Sequence, residues 1–68
     1  MSFDYSIIIP AFNEEDLLEN TINHLKEAMA TTPFKGEIVV TDNNSTDKTA
    51  AIAKQAGATV VFEPINQI

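Results

Sequence analysis

Three runs of branched apolar residues punctuate the chain, and each stops at a polar or proline-containing turn. Tyr5-Ser6-Ile7-Ile8-Ile9-Pro10 reads as the first strand. Its isoleucines are consecutive and not alternating, the pattern of a strand buried on both faces of a helix-covered parallel sheet. Pro10 has no N–H to give to a ladder and is expected to close the strand. The second strand is predicted over Glu37–Thr41, around Ile38-Val39-Val40. The third is predicted over Ala58–Phe62, rich in Val and Thr and stopped by Pro64.

Helical spacing fills the gaps between the runs. Leu17, Leu18, Thr21, Ile22, Leu25 and Met29 recur on one face, with Glu19, Asn23, Lys26 and Glu27 opposite. Asn13 is the expected N-cap of this helix, and Glu14, Glu15 and Asp16 its first turn, where acids complement the dipole. The helix is expected to stop near Thr31, because the residue before Pro33 disfavours helical angles. Phe34, Lys35 and Gly36 form a loop. A second helix is capped by Ser45 or Thr46, carries Ala50, Ala51, Ile52, Ala53 and Ala56, and ends at Gly57 as its C′ residue. Alternation of this kind predicts α/β architecture: a β-α-β-α-β half of a doubly wound parallel sheet, with right-handed crossovers and strand order 3-2-1. The ending, Glu63-Pro64-Ile65-Asn66-Gln67-Ile68, reads as a truncated chain stopped in mid-loop.

Length, composition and charge narrow the functions open to such a half-sheet. At 68 residues the chain is a single, partial domain, and one this small buries only roughly 60% of its unfolded surface. It has no cysteine, so neither a disulfide nor a thiolate metal site can support it. The lone His24 cannot build a His-rich site and reads as a surface or boundary residue. A net charge of −6 argues against nucleic-acid binding, which needs clustered Lys and Arg. No apolar run approaches the roughly 18 residues of a membrane span. Met1-Ser2-Phe3-Asp4 carries no signal-peptide pattern. A soluble, cytoplasmic protein is expected.

In an open parallel sheet the turns after neighbouring strands share one crevice, where ligands bind. Here that puts Asn13 and Glu14 beside Asp42, Asn43 and Asn44. Neither G-x-G-x-x-G nor G-x-x-x-x-G-K-[ST] occurs, so the usual phosphate cradles are missing. Glu14, Glu15 and Asp16 would also repel a pyrophosphate at that helix start. A base and a ribose suit the turns better. Backbone groups at Pro10 and Ala11 can meet a pyrimidine edge, and Asp42 or Asn43 can accept from an imide N–H or from ribose hydroxyls. Each residue also has a plainer role. Asn13, Ser45, Thr46 and Asp47 suit helix starts, and the Asp42–Ser45 stretch suits a turn that bonds its own backbone. No Ser-His-Asp set or paired-carboxylate site assembles.

These two turns resemble a family. Ser6-Ile7-Ile8-Ile9-Pro10-Ala11-Phe12-Asn13-Glu14-Glu15 is similar to the opening of the inverting family 2 glycosyltransferases of GT-A fold. Ile38-Val39-Val40-Thr41-Asp42-Asn43-Asn44-Ser45-Thr46-Asp47-Lys48-Thr49 is similar to their second signature, and Phe62-Glu63-Pro64-Ile65-Asn66 to the loop after their third strand. The resemblance implies a Rossmann-like GT-A nucleotide-binding half. Pro10, Ala11, Asn13, Glu14, Asp42, Asn43 and Asn44 would line the pocket for a UDP- or GDP-sugar. Asn43 departs from the pattern, since many relatives carry a second Asp there. The resemblance also implies a Mg²⁺ or Mn²⁺ held by a later Asp-x-Asp, and a later catalytic base. Neither falls in this chain, so no catalytic or metal residue is assigned and the chain alone is expected to be inactive. The competing reading is a non-catalytic nucleotide-binding or oligomerising fragment. A receiver-like domain is disfavoured, because the third strand ends in Phe62-Glu63-Pro64 and not in a phosphoacceptor Asp. A first strand left at the sheet edge is expected to pair with a second copy, most simply antiparallel in a C2 dimer.

Overall fold

The computed structural model describes residues 2–43 and 45–63. The order of elements is β1 (Tyr5–Ala11), α1 (Leu18–Met29), β2 (Gly36–Asp42), α2 (Thr49–Gln55) and β3 (Thr59–Phe62). The three strands are parallel and stand in the order β1-β2-β3, the expected 3-2-1 arrangement. Ile7 lies opposite Ile38 and Ile9 opposite Val40, while Val40 meets Val60 on its other side.

Right-handed crossovers between strands in consecutive order carry both helices to the same face of the sheet. The core is accordingly one layer deep. Ala11, Ile38 and Val40 from the strands meet Leu18 and Ile22 of α1, Ala53 of α2, and Ala58. Ile9, Leu25, Met29, Ile52, Ala56 and Val60 close around them. Gly57 takes φ 96° after α2, the left-handed C′ geometry that glycine adopts without a Cβ penalty. At Gly36 the far end of the Tyr5 ring lies across the position a Cβ would take, so a larger residue there would have to displace the ring.

The structure corrects several expectations. Burial in β1 alternates, so the strand is not covered on both faces: Ile7 and Ile9 are half-buried and Ile8 is exposed. Two helices on one side leave Ser6, Ile8, Pro10, Thr59 and Val61 exposed on the other. Pro10 does not close β1. The strand continues to Ala11, with Pro10 opposite Thr41, which an edge strand tolerates because one row of its amides faces no partner. The helices start later than their capping residues imply. α1 begins at Leu18, not after Asn13, and α2 at Thr49, not after Ser45 or Thr46. Leu17, assigned to the core face, is exposed just ahead of α1. Pro64 and the terminal loop lie outside the described residues, as does Asn44. Among the described residues no helix is long and apolar enough to cross a membrane.

Candidate functional site

The carboxyl ends of β1 and β2 lie side by side, with Ala11 opposite Asp42. The ladder runs one step further, because the Asn43 amide donates to the Ala11 carbonyl at 2.8 Å. That carbonyl, expected to be available to a ligand, is therefore engaged within the sheet. Asp42 and Asn43 are buried beneath the two loops, only 4% and 5% exposed. Polar side chains so deep in a domain with a one-layer core are unusual. One oxygen of Asp42, Oδ1, accepts from the Ser45 amide at 3.0 Å and folds the second loop back over the strand end.

The first loop is organised by the second. Asn13 has φ 53°, a left-handed conformation that Asn accepts more readily than most residues. It is not an N-cap of α1. Its Oδ1 reaches across to accept from the Thr46 amide at 2.9 Å, and its own amide donates to Ser45 Oγ at 2.9 Å. The next amide, Glu14, donates to Thr49 Oγ1 at 2.9 Å, and the one after it, Glu15, to Asp47 Oδ2 at 3.2 Å. The Glu14 carbonyl then accepts from Leu17 and Leu18, which opens the helical path into α1.

Three successive amides at the entrance to α1 are thus satisfied by Ser45, Thr49 and Asp47. Amides in that position bind phosphate in other α/β folds when they are unengaged. Here the chain's own oxygens occupy them, and the Glu14, Glu15 and Asp16 carboxylates stand alongside. The strand ends offer acceptors and not an anion cradle. Among the described residues no three His, Asp or Glu side chains converge to hold a metal ion.

Asp47 joins the two loops through both carboxylate oxygens. Oδ1 accepts from the Thr49 amide and hydroxyl, and Oδ2 from the Glu15 amide. Partial burial pushes its carboxyl upward, but the donors from Thr49, Glu15 and its own backbone outweigh this and hold it below its ordinary value. A folded-state pKa below the unfolded one stabilises above the unfolded value, and that contribution is lost as pH falls through the folded value. The Glu15 and Thr49 amide resonances are therefore expected to move together on acidification, with a midpoint below the usual Asp value of about 3.9. A midpoint at or above that value would contradict the bonding described.

The structure brings Ala11, Asn13, Glu14, Asp42 and Asn43 to one end of the sheet, with Pro10 exposed on the open face. What the residue pattern missed is that Ser45, Thr46, Asp47 and Thr49 serve the opposite loop. The signal was their number. Four capping-type residues within five positions exceed what the start of one short helix uses.

The chain is similar to known proteins in sequence and in fold. A protein of Shigella flexneri called RfbJ is 44% identical over 64 residues, covering 94% of this chain and 46% of its own length. The low-salt glycan biosynthesis hexosyltransferase Agl6 of Haloferax volcanii is 41% identical over 59 residues, covering 87% of this chain and 14% of its own. The chain thus spans less than half the length of these relatives. Among solved structures, mannosyl-3-phosphoglycerate synthase from Rubrobacter xylanophilus superposes with a TM-score of 0.79 at 28% identity, over 88% of this chain and 19% of that one. Glucosyl-3-phosphoglycerate synthase from Mycobacterium tuberculosis, solved with Mn²⁺, uridine diphosphate and glucosyl-3-phosphoglycerate, superposes at 0.73 with 32% identity, over 90% and 21%. Both have the Rossmann-like GT-A fold. With the pattern of glycosyl transferase family 2 matching residues 6–67, the chain belongs to that family.

Proposed function

We propose that this chain is the nucleotide-recognition portion of a nucleotide-diphospho-sugar-dependent glycosyltransferase, taking a UDP- or GDP-sugar. One observation carries the reading: buried Asp42 and Asn43 lie under two cross-bonded loops at the carboxyl ends of adjacent parallel strands. Its support from outside the chain is the Mycobacterium tuberculosis synthase, which carries uridine diphosphate on a superposable fold. In this reading Pro10, Ala11, Asn13 and Glu14 border the base, and Asp42, Asn43 and Asn44 border the base or ribose. The engaged amides of Asn13, Glu14 and Glu15 favour a diphosphate held away from the first loop.

Sugar transfer in the whole enzyme would proceed with inversion in one displacement, as a base takes the acceptor hydroxyl proton. None of the described residues is assigned to that step. The divalent cation that accompanies the family's chemistry finds no fitting set of ligands among them either. The chain by itself is therefore proposed to bind without transferring. Titration with UDP, GDP and their sugars, with and without Mn²⁺, tests this. Amide shifts are expected at Asp42, Asn43 and Ser45, with no sugar released. Turnover would overturn the inactivity, and the absence of any shift would overturn the nucleotide reading.

Self-association belongs to the same proposal. Among the described residues β1 is an edge strand, and Ile8 is 58% exposed on the uncovered face. Unpaired apolar edges recruit other strands. Pro10 limits such pairing to Tyr5–Ile9. A homodimer built on antiparallel β1 strands is expected by light scattering, and a monomer at high concentration would refute it.

A further inference from the structure

We infer that Thr49, braced by Asp47, is a positioning residue that fixes the distance between the two strand-end loops and thereby sets affinity at Asp42 and Asn43. The inference rests on the nucleotide reading above. Thr49 is wholly buried, and its hydroxyl is engaged within the protein, so no ligand contact is assigned to it. Its hydroxyl works in two directions. It donates to Asp47 Oδ1 and accepts from the Glu14 amide of the opposite loop. Its position is set by α2, of which it is the first residue.

The consequence is mechanical. α2 packs Ile52 and Ala53 into the core, so Thr49 stands on a fixed base. From that base the Glu14 amide is held through the hydroxyl and the Glu15 amide through Asp47 Oδ2. Outside this pair, the described residues join the loops through the Asn13 bonds to Ser45 and Thr46 and the Asn43–Ala11 step. Ser45 is only half-buried and Thr46 exposed, so they are closer to solvent than Thr49. A side chain that leaves the Glu14 amide without an acceptor would let the first loop move away from the second. Any ligand bridging the two would then meet loops held further apart.

The test compares the wild type with Thr49→Val and Thr49→Ser. Valine keeps the shape and removes the hydroxyl, whereas serine keeps the hydroxyl. Amide exchange at Glu14 and Glu15 is read without ligand, and UDP affinity by calorimetry. Thr49→Val is expected to speed exchange at Glu14 and Glu15 while Ile38 and Val40 stay protected, and to weaken UDP by about tenfold, with serine restoring both. Wild type that binds UDP while Thr49→Val binds it equally overturns the inference alone. Faster exchange at Val40 in step with Glu14 overturns it too, by reducing the effect to general destabilisation. Wild type that binds no nucleotide overturns the functional reading and, with it, this inference.

Discussion

Ile22→Ala is expected to unfold much of the chain at 25 °C, whereas Ile8→Ala is expected to leave it folded. Ile22 is fully buried on α1, in one core cluster with Ile38, Val40 and Ala53. Truncating such a side chain costs about 2–5 kcal/mol, through lost transfer energy and the cavity left behind. A chain of 68 residues commands a total stability of roughly 3–10 kcal/mol. The core here has helices on one face of three strands, which argues for the lower end. The expected cost is thus comparable with everything available. Ile8 is the same residue type, also near the middle of a regular element, but it is 58% exposed on the uncovered face. Its truncation is expected to cost less than about 0.5 kcal/mol. Urea denaturation followed by far-UV circular dichroism would read both. Equal losses for the two variants would mean that the open face is covered in solution, which in a dilute pure sample means by a second copy.

The contrast between these two isoleucines also marks how far the fold was legible. Element type and order could be read from period alone, because Ile7–Ile9 and Ile38–Val40 are too branched for helix and the 17–29 stretch too regular for strand. The sidedness of the sheet could not. A run such as Ile7-Ile8-Ile9 says that a strand suits burial on both faces. Whether a second layer exists depends on where the crossovers place their helices, and strand order 3-2-1 with right-handed crossovers places both together. The helix starts were misplaced for a related reason. Asn13, Ser45 and Thr46 are good caps, but each spends its polar atoms on the facing loop. Local capping rules describe a helix in isolation and carry no information about a partner some thirty residues away. The candidate site was legible where it depended on strand ends, at Asp42 and Asn43. It was illegible where it depended on which loop oxygen reaches which loop amide, at Asp47 and Thr49.

Asp42→Asn is expected to abolish most nucleotide affinity while leaving the fold intact, and it separates recognition from architecture. Asp42 has two tasks. Through Oδ1 it accepts from the Ser45 amide, which shapes the second loop. Through its charge it would serve ribose hydroxyls or an imide N–H of the bound nucleotide, as proposed above. Asparagine retains a carbonyl oxygen of the same geometry for Ser45, so the turn survives. It loses the charge, and hydrogen bonds to charged groups contribute about 1.5–3 kcal/mol, so the expected loss in affinity is roughly ten- to a hundredfold. Asp42→Ala removes both tasks and is expected to lose affinity and stability together. Calorimetric titration with UDP, paired with urea midpoints, distinguishes the tasks. An asparagine variant that binds as tightly as wild type would show that charge at Asp42 plays no part in recognition. The residue would then be a turn-former alone, and the acceptor role would fall to Asn43, which is equally buried one step further along. The position matters because an acid at the end of β2 is the one deeply buried carboxylate among the described residues. Desolvating such a group is costly, and the Ser45 amide offsets part of that cost.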